Sequence, residues 1–165
     1  MKIKKILLVF LFLPIISLSS TVKVPISVVY SGISKIFPIE KEKLGGKLTI
    51  SNPSLAIYNN KFLIKTDYVI DTLFKDFSGT MLFESDIRFD NNTSDIYLSN
   101  VKLIELTDHG ETYVPTEKFA TNTLVQAMYK MAESKSIYNT KENKLTNLLP
   151  IKNIFIENDG LHIEF

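Results

Sequence analysis

The chain has no cysteine and a single arginine, Arg88, among its 165 residues. The first absence excludes a disulfide framework, a cysteine nucleophile and lipidation of an N-terminal cysteine. The second argues against nucleic acid as a partner, because neutralising phosphates takes clustered lysines and arginines. Histidine is nearly as scarce: His109 lies in the turn from Asp108 to Glu111, and His162 lies between Leu161 and Ile163. Asp108, His109 and Glu111 can be drawn as a metal cluster. Adjacent loop positions lack the i, i+4 or opposed geometry that ligands need, so a solvated turn is the expected reading. No Gly-Xaa-Ser-Xaa-Gly elbow occurs, and Gly45 with Gly46 is a bare pair without a phosphate loop. Asp67 and Asp71 sit four apart on a strand, roughly 13 Å, too far for an acid–base pair. The expectation is a protein that is not an enzyme and has no cofactor or metal.

A long apolar run occurs once, from Ile6 to Ile16, after the basic start Met1, Lys2, Ile3, Lys4, Lys5 and before Ser17, Leu18, Ser19, Ser20. This is the anatomy of a secretory signal. A membrane-spanning helix needs about 20 apolar residues, more than the run supplies. Residues 1–20 are expected to be a signal peptide cleaved after Ser19 or Ser20, leaving one domain, 21–165, in the periplasm or cell envelope. Without cysteine it is not a cysteine-anchored lipoprotein. Cleavage removes three lysines and leaves 16 basic against 18 acidic residues, a net charge of −2.

The most informative stretch runs from Phe62 to Phe89. Phe62, Ile64, Thr66, Tyr68, Ile70, Thr72 and Phe74 alternate with polar residues, and so do Phe77, Gly79, Met81, Phe83, Ser85, Ile87 and Phe89. This predicts two half-buried strands of about 13 residues each. A tight turn at Lys75 and Asp76 would set Phe74 opposite Phe77, Ile70 by Met81, Tyr68 by Phe83, Thr66 by Ser85 and Ile64 by Ile87. A slip of one residue would turn every ring toward water.

Around this hairpin, Ser27 is the expected cap of a short helix carrying Val29, Ile33, Ile36 and Phe37 and ended by Pro38. Glu40 to Lys43 reads as a charged connector. Leu48 to Ile57 is a strand broken in phase at Asn52 and Pro53, hence a bulge or an edge, and Asn59 with Asn60 makes a two-residue turn. Ile96 to Leu103 is the next strand of a meander, with a bulge at Asn100. Thr116 caps a helix reaching about Ser134, whose apolar face is Ala120, Leu124, Ala127, Met128 and Met131. Ile137 and Tyr138 form a short strand, Leu145, Leu148 and Leu149 a short helix, and Ile151 to Phe165 a hairpin turning at Asn158, Asp159 and Gly160.

This order of elements resembles the YceB-like family of bacterial envelope proteins, small members of the tubular lipid-binding (TULIP) fold. The resemblance covers most of the mature chain, although the family's usual lipobox cysteine and acidic cap in the first helix are lacking. It implies an α+β fold: a long, strongly curved antiparallel meander sheet wrapped around one longer amphipathic helix, with short flanking helices and a C-terminal hairpin. An apolar groove that accepts a lipid tail comes with it.

Dimensions support such a groove. Thirteen strand residues reach roughly 43 Å, whereas a helix from Thr116 to Ser134 spans about 28 Å, so part of the apolar face needs another cover. The expected lining is Tyr68, Ile70, Met81, Phe83, Ser85 and Ile87 from the hairpin and Leu124, Met128 and Met131 from the helix. The expected function is binding of a lipid or other apolar small molecule, with peripheral membrane contact open and no protein partner identified. The alternative is a non-enzymatic envelope scaffold with a closed core that acts through a sheet edge such as the Asn52 and Pro53 strand.

Overall fold

The computed structural model describes residues 20–43, 46–73, 76–142, 144 and 149–165. Residues 1–19 of the signal segment, the Phe74 and Lys75 turn, Leu145, Leu148 and the side chains of Ala120 and Leu124 lie outside the described residues. Antiparallel β-structure dominates. Six strands run in sequence order as a meander: β2 (Ile39–Lys43), β3 (Gly46–Tyr58), β4 (Lys61–Thr72), β5 (Phe77–Asp90), β6 (Asp95–Asp108) and β7 (Glu111–Tyr113). A further strand, β8 (Ser136–Asn139), pairs with the start of β6. The sheet curls into a half-barrel.

Its curvature has local causes. Asn52, at φ 52°, breaks the β3–β4 register between Ser51 and Ser54, and Asn100, at φ 51°, sits in the β5–β6 break between Glu84 and Asp86. Asparagine tolerates this left-handed backbone, and each extra residue bends its strand and sharpens the twist. Both bulges fall where the apolar phase changes in the sequence. Asn59 and Asn60, both at positive φ, make the expected two-residue turn closing on Tyr58 and Lys61.

The alternation in the long hairpin holds, with Phe62, Ile64, Tyr68, Met81 and Phe83 buried on the concave face. Its register differs from expectation. Ile70 faces Phe77, Tyr68 faces Gly79, Thr66 faces Met81 and Ile64 faces Phe83. The connection is longer than a two-residue turn, and it displaces the pairing by an even number of residues, so the faces are kept while the partners change.

The helices depart further. α1 (Ile26–Ser34) begins before Ser27, with Pro25 at the N-cap and no side-chain cap. The single longer helix expected from Thr116 to Ser134 is two pieces, α2 (Glu117–Ala120) and α3 (Thr123–Ser134). Thr116 does cap α2, accepting from Phe119 N–H. The break lies at Thr121, whose hydroxyl donates back to the Glu117 carbonyl at 2.9 Å, and at Asn122, whose carbonyl accepts the Gln126 N–H at 2.9 Å and so opens α3. The Thr121 side chain thus competes for main-chain acceptors at the point where the helix divides. Among the described side chains the buried stripe of α3 is Val125, Met128, Tyr129 and Ala132, which shares only Met128 with the expected face; Ala127 and Met131 are half-buried. The chain is therefore sheet-dominated with short helices.

A second, three-stranded sheet, in the order β1–β10–β9, joins β1 (Thr21–Pro25) to the C-terminal hairpin β9 (Asn153–Glu157) and β10 (Gly160–Glu164). Its buried residues Val24, Ile156, Leu161 and Ile163 belong to the same core as the half-barrel.

Candidate functional site

α3 lies across the mouth of the half-barrel, packed on β6 and β2. Tyr129 and Glu133 reach the sheet itself: the N–H of Leu103 donates to the Tyr129 hydroxyl and the N–H of Val101 donates to the Glu133 carboxylate, each at 2.9 Å. Burial pushes the Tyr129 phenol above its usual pKa, with the Leu103 bond acting in the opposite direction. Its ring meets Phe83 edge-on, with centroids 6.4 Å apart.

Beneath the helix is a cavity of about 20 Å³. Phe37 and Ile39 wall it at the entry to the sheet, Ile50, Ile64 and Phe83 form its floor, Leu98 and Val101 its β6 side, and Met128, Tyr129 and Ala132 its roof. Of the expected groove residues, Phe83 and Met128 meet here. Tyr68 and Met81 are buried further along the trough, Ile70 is half-buried near its end, and Met131 stands beside the cavity without lining it. Tyr68 packs over its partner Gly79, and its phenol pKa is raised by burial and by the charge of Asp108. Ser85 is buried as expected but tied to the sheet, its hydroxyl donating to the carbonyls of Asp86 at 2.7 Å and Ser99 at 3.0 Å.

Ile87 lies at the other end, between two open clefts of about 270 and 290 Å³ that separate β5 from β9. Phe62 is buried in the core that the small sheet shares, whereas Ile87 and Phe89 are half-buried. Sequence reasoning missed most of the cavity wall. Ile50 and Leu98 alternate in phase and were legible as inner-face residues, whereas Tyr129 falls off the stripe drawn for a continuous helix.

Among the described residues, metal-ligating groups converge at one place outside the cavity. Atoms of Glu157, Asp159 and His162 lie within 4.8 Å of one another at the β9–β10 turn. His162 Nε2 is 2.8 Å from Asp159 Oδ1, its ring stacks on Phe155, and Lys23 Nζ sits 2.6 Å from Asp159 Oδ2. The lysine already supplies a cation there. Asp108 and His109 contact each other at 2.7 Å in an exposed turn.

No curated protein matches the chain. The family model described as a protein of unknown function, DUF1439, matches residues 61–154, from the first residue of β4 into β9. That is more than half of the sequence, and the chain belongs to this family.

Proposed function

We propose that this is an exported protein of the periplasm or cell envelope, a YceB-like member of the tubular lipid-binding fold. In this reading it holds the apolar chain of a lipid or similar ligand against the concave face of the half-barrel. One observation carries it: an apolar cavity directly beneath α3, where the cover is attached by a stripe of side chains and by three side-chain-to-main-chain hydrogen bonds, at Leu103, at Val101 and from Arg88 to the Glu133 carbonyl. At about 20 Å³ the cavity is the size of one water, far below the roughly 300 Å³ of a ligand site. A chain therefore enters only as α3 lifts, its methylenes replacing the contacts of Met128 and Tyr129. Methionine, flexible and polarizable, suits such exchange.

The test is extraction of the purified mature protein into organic solvent followed by mass spectrometry. Co-purifying acyl lipid is the expected result. A protein that is empty, and that gains no thermal stability from added fatty acid, overturns the proposal.

The small volume itself favours a second reading, a non-enzymatic scaffold with a closed core. β2 pairs only with Gly46–Ile50, so among the described residues Ser54–Tyr58 of β3 has a strand partner on one side alone. Crosslinking to an envelope protein that depends on Ala56 and Tyr58 and is indifferent to Met128 is its signature.

A further inference from the structure

Three polar residues are buried among the described residues: Thr66, Ser85 and Thr140. Two are satisfied, Ser85 by the bonds given above and Thr140 by donation to the Ser94 carbonyl at 3.1 Å. Thr66 is the exception. It is 1% exposed, and its hydroxyl has no hydrogen-bond partner. Ile64 and Tyr68 flank it on the inner face of β4, Met81 faces it from β5, and the bulge at Asn52 and Pro53 lies opposite on β3.

Burying a hydroxyl without a partner is unfavourable, and valine would fill the same space without that cost. A water is a poor partner, because it needs two to four polar contacts of its own. Thr66 does not itself wall the cavity, but its neighbours do: Ile64, two residues before it on β4, and Phe83, two residues beyond the facing Met81 on β5. Those walls are apolar except for Tyr129, whose hydroxyl already accepts the Leu103 N–H. A missing hydrogen-bond partner thus lies one inner-face position along β4 from an apolar void.

We infer that Thr66 is the polar anchor of the ligand site, and that the occupant is an amphiphile whose oxygen-bearing group hydrogen-bonds the Thr66 hydroxyl while its chain lies under α3. The inference rests on the proposed apolar-ligand reading. It adds a ligand class, a hydroxyl, carboxyl or ester on an aliphatic chain rather than a bare hydrocarbon, and a position for its polar group.

The experiment titrates 1-decanol and decane separately into the mature protein, followed by methyl NMR, for the wild type, Thr66→Val and Thr66→Ser. The wild type is expected to prefer decanol by about ten-fold, the equivalent of one hydrogen bond. Thr66→Val should lose the preference while still binding decane, and should melt no lower than the wild type. Thr66→Ser should keep it. If Thr66→Val does not fold, Thr66→Ala takes its place, with the same expected loss. A valine or alanine variant that retains the full preference overturns the anchor and leaves the groove standing. A wild type that binds neither compound overturns both.

Discussion

The Leu103 N–H donates to the Tyr129 hydroxyl and, two residues back along the strand, the Val101 N–H donates to the Glu133 carboxylate four residues on along α3. The spacings match: four helical residues rise about 6 Å and two strand residues about 6.6 Å. α3 thus runs antiparallel to β6 and supplies acceptors where a neighbouring strand would. β8 covers β6 at Asp95–Tyr97 and β7 covers it at Leu106–Asp108, so the helix closes the interval between them. An edge that would otherwise invite pairing with another chain is covered.

Removing one acceptor should show this directly. Tyr129→Phe leaves the Leu103 N–H buried and unpaired, and should destabilise the protein by about 1 to 3 kcal/mol in urea unfolding. Amide exchange at Leu103 should accelerate more than at Val101. An unchanged unfolding midpoint with unchanged exchange at Leu103 would mean that the bond contributes nothing to holding the cover.

The cavity invites the opposite change. Val101→Ile adds one methylene at its β6 wall, and a filled void of about 20 Å³ is worth roughly 0.5 kcal/mol at about 24 cal/mol per Å³. The variant should be as stable as the wild type or slightly more so, and should take up less fatty acid. A loss of more than about 1 kcal/mol would show that the walls cannot accept the group, as in an overpacked core.

The faces of the sheet were legible from period-two alternation, and the bulges at Asn52 and Asn100 from breaks in its phase. The hairpin register was not: an even displacement keeps every inner residue inside, so the pattern alone cannot separate the pairing of Ile70 with Phe77 from that with Met81. β2 reads as a charged connector because Ile39 is its only apolar residue, yet as an edge strand it needs no more than that one buried side chain. β1 is short and ends at Pro25, and its pairing with the far end of the chain has no local signature. For the candidate site, Phe83 and Met128 followed from periodicity. Tyr129 did not, because the helix break at Thr121 and Asn122 resets which side of α3 faces inward.

Gly32 tests how closely α1 must approach β8. A Cβ on Gly32 would lie 1.7 Å from the Ile137 carbonyl oxygen, a main-chain atom fixed in the strand. Gly32→Ala therefore forces α1 away from the sheet and should cost about 1 to 3 kcal/mol or more, read as a lower melting temperature with Val29 and Ile33 newly exposed to solvent exchange. A variant with wild-type melting behaviour would mean that α1 shifts freely at this contact.

The turn between β9 and β10 predicts an acid dependence. Hydrogen bonds from Lys23 and His162 draw the Asp159 carboxyl down to about 2, against about 3.9 for an unfolded aspartate. At Asp95 burial opposes ionisation, but hydrogen bonds from Ser136, Asn139, Thr93 and Tyr97 outweigh it and hold that carboxyl below its usual range as well. A folded-state pKa below the unfolded value means that the unfolded chain binds the proton first. The stabilisation is therefore present above about pH 4 and is lost as pH falls toward about 2. Asp159 is solvent-exposed and Lys23 leaves the cluster with the N-terminal strand, so the effect should appear first as release of β1 from β10. Melting temperature measured from pH 5 to pH 2 should fall less steeply for Asp159→Asn than for the wild type. Superimposable pH profiles for the two proteins would show that the ion pair does not hold the terminal strands together.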